Sequence, residues 1–211
     1  MRLSVDVPGS RGRLSRRCFL KGTSAITAGA AALENTLAEV GEAAAAEAAP
    51  QVFGPDPVAI TLRVNGAALA VAVEPRATLA EVLRGPLGLT GTKVACDRGT
   101  CSACTVLLDG APVASCSLLA LDVGQRAVTT IEGLAAGGAL HPVQAAFIEH
   151  DALQCGFCTP GLVLSAAALL ARNPAPTAGD VKAAISGHVC RCGSYPHVID
   201  AVLAAVGARR G

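Results

Sequence analysis

ITLRVNG (60–66) and LAVAV (69–73) alternate apolar with polar or small residues, the period of a half-buried strand. Asn65-Gly66 between them predicts a hairpin turn, because both residues tolerate positive φ. Thr78-Leu79-Ala80-Glu81 reads as a capping box that opens a short helix through about Leu83, and Gly85, Pro86 and Gly88 end it. TVLLDG (105–110) predicts another strand with a tight turn at Asp109-Gly110. PVASCSLLAL (112–121) returns as a strand, and AVTTIEG (127–133) closes a small mixed sheet with the helix on one face. After GLAAGG (133–138), read as a hinge, the period changes to that of helices. HPVQAAFIEHDAL (141–153) places Val143, Ala146, Phe147 and Ile148 along one face. A second helix runs over 160–172 with Pro160 in its first turn, and it stops at Asn173-Pro174. Thr177 and Asp180 cap a third over 177–186, and a fourth runs from Tyr195 to about Val206. Four short helices with brief connections predict a compact bundle. The chain is therefore expected to be α+β, with one folded unit over 52–133 and a second over 140–211.

Composition narrows the function classes. The 211 residues carry a formal charge of +1 and only 2% aromatic residues, which leaves neither a basic stripe nor stacking platforms for nucleic acid. Much of the 52% hydrophobic content is alanine, so the core is expected to be built of small aliphatic side chains. No strongly apolar run long enough to span a membrane interrupts the second half. A Ser-His-Asp arrangement, paired catalytic carboxylates and a phosphate loop are all missing from the pattern. His141, His150, His188 and His197 are scattered and expected at the surface or at helix ends.

The first 51 residues read as a leader and linker. Basic residues precede SRRCFLKG (15–22), followed by the weakly apolar GTSAITAGAAAL (22–33). Ser15, the pair Arg16-Arg17, and Phe19, Leu20 and Lys21 resemble the twin-arginine export consensus; the alternative is a basic amphipathic helix. The resemblance implies passage through a twin-arginine translocase to the periplasm, after folding and cofactor insertion. Cys18 lies inside this leader and is not expected to be a ligand.

The other eight of the nine cysteines fall into two groups of four. In ACDRGTCSACTV (95–106), Cys96, Cys101 and Cys104 share one loop, and Cys116 follows on the returning strand. This is the plant-type spacing for a 2Fe-2S cluster. Structural zinc sites instead pair two short knuckles. Gly99 lets the backbone approach closely, so that amides can point at sulfur. Neither C-x2-C pair is followed by histidine, which excludes c-type haem. The second set, Cys155 and Cys158 with Cys190 and Cys192, is compatible by spacing with zinc or with iron–sulfur. Cys190 and Cys192 are too close to pair comfortably with each other as a disulfide.

QCGFCTPG (154–161), NPAPT (173–177) and HVCRCGSYPHVIDAV (188–202) resemble the iron–sulfur subunit of the molybdenum hydroxylases, over about residues 58–205. The leader makes the resemblance strongest to the exported aldehyde-oxidoreductase branch. It implies a ferredoxin-like β-grasp domain followed by a four-helix bundle, each holding one 2Fe-2S cluster. It also implies a large partner subunit carrying molybdopterin, with FAD or a cytochrome in a further acceptor subunit. The second cluster would lie nearest the pterin, contacted by Gln154 and the backbone of Cys155, while Arg191 would balance cluster charge or meet the partner. Electrons from oxidation of an aldehyde or N-heterocycle would pass through this chain, which would turn over no substrate alone. Ser102 stands where the family usually has glycine, His188-Val189 where it has asparagine-leucine, and Gly193-Ser194 replaces a more usual threonine-glycine or glycine-threonine. Two rival classes remain: an exported module held by zinc or disulfides, and a free-standing ferredoxin-like carrier.

Overall fold

Asn65 and Gly66 take φ of 52° and 82°, and this two-residue turn folds β1 (Val58–Val64) back onto β2 (Ala67–Val73) with Val64 opposite Ala67. The computed structural model describes residues 52–135 and 137–208, so the twin-arginine motif and Cys18 lie outside the described residues. Asp109 and Gly110, at φ of 50° and 80°, make the equivalent turn between β3 (Thr105–Leu108) and β4 (Ala111–Ala114). β5 (Ala127–Thr129) slots between the two hairpins, parallel to β1 and antiparallel to β3, giving the order β2-β1-β5-β3-β4. Helix α1 (Leu79–Arg84) starts at Thr78, whose side chain and Glu81 cap each other reciprocally. Its Leu79, Val82 and Leu83 bury against Leu62, Val64, Val106, Leu108 and Val128 on one face of the sheet.

Two strands are shorter than their apolar patterns suggest. The return strand expected over 112–121 ends at Ala114, and Cys116 sits in a 3-10 turn, Ser115–Ser117. The Ser115 hydroxyl donates to the Cys104 carbonyl at 2.6 Å, which draws the chain out of the ladder and towards the cysteine loop. The strand expected over 127–133 stops at Thr129. Thr130 is fully buried and tied to Asn65, donating its N–H to Oδ1 at 2.9 Å and accepting from Nδ2 at 3.0 Å. A 3-10 turn, Ile131–Gly133, follows.

Four helices follow: α2 (Pro142–Glu149), α3 (Thr159–Arg172), α4 (Ala178–Ile185) and α5 (Tyr195–Ala208). His141 caps α2: it accepts from Val143 N–H at Nδ1, and its own N–H donates to Gln144 Oε1. The helix ends at Glu149, four residues before the pattern does, with His150 as its C-cap and Asp151 next at φ 48°. Val143, Ala146 and Phe147 face the core, but Ile148, turned a further ~100° round the helix, is 61% exposed. Val181 and Ile185 of α4, and Val198, Ala201, Val202 and Ala205 of α5, complete an apolar core around α3. Helix α3 is buried without interruption from Gly161 to Leu170, the mark of a helix with protein on all sides. Leu162, Val163, Ala166, Leu169 and Leu170 serve the helical core, while Leu164 and Ala168 pack on Leu107 of β3. Ile131 and Leu134 fill the same seam, so the start of the glycine-rich connection is anchored. The described residues from Phe53 onward form one compact unit.

Candidate metal centres

All eight cysteines of the two sets are free thiols. In the first set, Cys96 and Cys101 lie on an irregular loop, Cys104 is buried at the entrance to β3, and Cys116 is buried on its 3-10 turn. Asp97, Gly99 and Ser102 take φ of 54°, 72° and 57°. Such left-handed steps turn successive amides inward, as in the concave anion sites called nests. Gly99 N–H donates to Cys116 Sγ at 3.3 Å, and Thr100 N–H to Cys96 Sγ at 3.4 Å. A Cβ at Gly99 would lie 2.8 Å from Ser117 Oγ, a hydroxyl that can rotate away, so the position favours glycine chiefly for its φ of 72°. Hydrogen bonds from Thr100, the Arg98 backbone and Cys101 bring Cys96 down to about 6. Burial pushes Cys104 up to about 11, with Cys116 as its thiol neighbour.

The second set joins the helices. Cys158 is the N-cap of α3 and buried; Cys155 precedes it on an exposed turn through Gly156 at φ 80°. Cys190 and Cys192 occupy the loop between α4 and α5. Burial raises Cys158 to about 12, helped by its contact with Cys190. Burial also works on Cys190, but hydrogen bonds from Ser194, whose Oγ lies 3.3 Å from its sulfur, outweigh it and leave Cys190 at about 7. Tyr195, the sole tyrosine in the chain, clamps this loop: its hydroxyl donates to His188 O and accepts from Cys190 N–H, both at 2.8 Å. In Tyr195→Phe, both backbone groups lose a partner, each worth about 0.5–1.5 kcal/mol. The variant should melt several degrees lower in thermal denaturation.

Among the described residues, no three His, Cys, Asp or Glu side chains close around a single ion. Six of the eight thiols meet in pairs instead, Cys96 with Cys101, Cys104 with Cys116, and Cys158 with Cys190, while Cys155 and Cys192 lie three and two residues along the chain from that last pair. A two-iron cluster takes two thiolates on each iron. Soft four-sulfur donor sets, amides aimed at sulfur and a left-handed Gly99 in the loop all fit such a group.

The two sets touch through the backbone, for Val189 N–H donates to Cys101 O at 3.1 Å, linking a member of the first set to the residue before Cys190 of the second. His188 is buried, only 5% exposed, where a surface or helix-end position was expected. Its Nε2 lies 2.8 Å from Ser165 Oγ, and burial pushes the ring down to about 4, so it is neutral. His141 and His150 do sit at helix ends, and exposed His197 meets the His150 carbonyl at 3.1 Å. Gln154 and Cys155 are exposed, flanked by partly exposed Leu153 and Phe157. The Tyr195 clamp, the Ser165–His188 pair and the Val189–Cys101 link have no signature in spacing. Their one clue is a lone tyrosine placed just after C-R-C.

A mixed sheet with one capping helix, joined to helices that hold a second four-thiol set, defines a two-centre iron–sulfur protein. Residues 62–130 match the 2Fe-2S iron-sulfur cluster binding domain family, and residues 130–203 match a second 2Fe-2S binding domain family. The chain is 50% identical over 152 residues to the nicotine 6-hydroxylase small subunit of Paenarthrobacter nicotinovorans, covering 72% of this chain and 92% of that one. It is 39% identical over 209 residues to the aldehyde oxidoreductase iron-sulfur-binding subunit PaoA of Escherichia coli O157:H7, covering 92% of this chain and 89% of that one. The crystal structure of quinoline 2-oxidoreductase from Pseudomonas putida 86 matches with a TM-score of 0.70 at 45% identity, over 74% of this chain and 98% of that chain. The chain belongs to the iron–sulfur subunits of the molybdenum hydroxylases.

Proposed function

We propose that the chain is the electron-relay subunit of a molybdenum-dependent hydroxylase acting on an aldehyde or an N-heterocycle. Cys96, Cys101, Cys104 and Cys116 hold one 2Fe-2S cluster in a β-grasp domain over 52–133. Cys155, Cys158, Cys190 and Cys192 hold another in a four-helix bundle over 140–211. When bound, such a cluster takes up and returns one electron at a time. The chain's own groups supply the rest. Amides of Gly99 and Thr100 favour the more negative state of the first site by donating to sulfur. Rigid helix ends and the Tyr195 clamp hold the second site in place. The observation that carries this reading is the pair of four-thiol sets joined by the 3.1 Å Val189–Cys101 hydrogen bond.

The partner is a large molybdopterin subunit, met through the exposed turn at Gln154 and Cys155. Beside that turn runs an apolar groove of about 280 Å³ lined by Leu140, Ile148, Leu153 and Gly156. Exposed apolar surface of this kind suits a permanent subunit interface. An FAD-binding or cytochrome subunit takes the electrons from the side of the first site. The test is iron and sulfide analysis with low-temperature electron paramagnetic resonance of the dithionite-reduced protein. Two distinct 2Fe-2S signals support the reading; an iron-free protein containing zinc or disulfides would sink it.

The leader reading rests on Ser15, Arg16-Arg17, Phe19, Leu20 and Lys21, which fit the twin-arginine consensus. On this reading the complex is assembled in the cytoplasm and exported by the twin-arginine translocase to the periplasm. Changing Arg16 and Arg17 together to lysine should leave the assembled protein in the cytoplasm, as read by cell fractionation. Unchanged export would refute the leader assignment.

A further inference from the structure

Helix α3 presents Gly161 and Ser165 one turn apart on the same face. A Cβ at Gly161 would lie 2.5 Å from the Ser102 carbonyl oxygen, and 3.2 and 3.3 Å from Cε1 and Nδ1 of His188. Ser165 Oγ holds the same imidazole from its other side, at 2.8 Å from Nε2. Gly187 repeats the theme, since a Cβ there would come within 3.3 Å of Ser102 Oγ. The Ser102 carbonyl cannot swing aside, because it accepts from Thr105 N–H at 3.2 Å and Thr105 Oγ1 at 2.7 Å. Ser102 is itself held at φ 57°, an uncommon angle for a residue with a side chain. The first cysteine loop thus rests directly on the backbone of α3, with the His188 ring wedged beside it. One residue away from each of these contacts runs the Val189–Cys101 bond.

We propose that Gly161, Ser165 and His188 are positioning residues that set the separation of the two cysteine loops, and so the coupling between the two centres. Glycine within an otherwise alanine- and leucine-rich helix is disfavoured unless something needs the room, and here the Ser102 carbonyl needs it. An alanine at 161 must drive carbonyl and helix apart by at least about half an ångström, because a close-packed seam does not absorb the clash. The cysteines themselves stay untouched. This inference rests on the electron-relay reading above.

The experiment uses the iron-loaded full chain with its partner subunit. In Gly161→Ala, iron and sulfide content and both resonance signals should match the parent. The magnetic interaction between the two reduced centres, read as line splitting and as relaxation enhancement under power saturation, should fall, because dipolar coupling drops steeply with separation. The Tm should also fall by several degrees. Ser165→Ala should move both readouts the same way by less, and Ser165→Thr, which keeps the hydroxyl, should restore them. Parental coupling in Gly161→Ala would overturn the proposal. If that variant does not assemble, equal coupling in Ser165→Ala and Ser165→Thr would overturn it instead. Failure of the relay reading looks different: the parent protein itself would lack two iron–sulfur signals.

Discussion

Cys158→Ala protein will carry half of the parental iron and sulfide, and one of the two low-temperature resonance signals will vanish while the other keeps its shape. Cys158 is buried at the start of α3 and in contact with Cys190, so no other thiol can take its place. Burial holds this thiol at about 12, so at neutral pH it stays protonated until a metal displaces the proton. On the proposed assignment the first site draws its four thiols from Cys96, Cys101, Cys104 and Cys116 and shares no ligand with the second, so it should survive. Cys18→Ala should leave iron content unchanged. A parental spectrum from Cys158→Ala, or a loss of iron from Cys18→Ala, would remove the second site from its present assignment.

Phe147→Ala should lower stability by about 3–5 kcal/mol, a drop in Tm of roughly 6–20 °C for a unit of this size, measured by thermal denaturation. The chain has four phenylalanines and no tryptophan. Phe53 and Phe157 are exposed, and Phe147 alone of the described three is fully buried, in a core otherwise made of alanine, valine, leucine, isoleucine and Cys158. Small side chains around it cannot close the space that truncation leaves. The second site should loosen before the first, because Phe147 packs with Cys158 and the α3 and α5 residues that frame it. A Tm change of a degree or less would mean that the helices repack, and that the core does not depend on its one large ring.

Local chemistry was legible where it is written in consecutive residues. Asn65-Gly66 and Asp109-Gly110 adopt the positive angles that such pairs tolerate, and Thr78 and Thr177 make the reciprocal caps their spacing announces. The grouping of eight cysteines into two sets could be read from intervals alone, and residue matches to both 2Fe-2S families fall on those intervals. Apolar pattern misled wherever a tertiary bond overrode it. Ser115 bends the chain out of β4 by bonding to Cys104, so Cys116 arrives on a turn rather than a strand. Ile148 continues the apolar run of α2 but lies off its buried stripe. His188 looked like a surface residue because nothing in the sequence marks Ser165, 23 positions earlier, as its partner.

Helix α3 belongs to two neighbourhoods at once, with Leu164 and Ala168 against Leu107 and the rest of its circumference among α2, α4 and α5. The halves are therefore not interchangeable cassettes. Severing the chain within 133–140 would strip a greasy back from β3 and a matching flank from α3, and each fragment would need a new cover to stay in solution. A protein engineer wishing to transplant the ferredoxin-like half would have to redesign Leu107 first. Evolution, facing the same seam, could exchange leaders or outer surfaces far more cheaply than it could exchange one half for another.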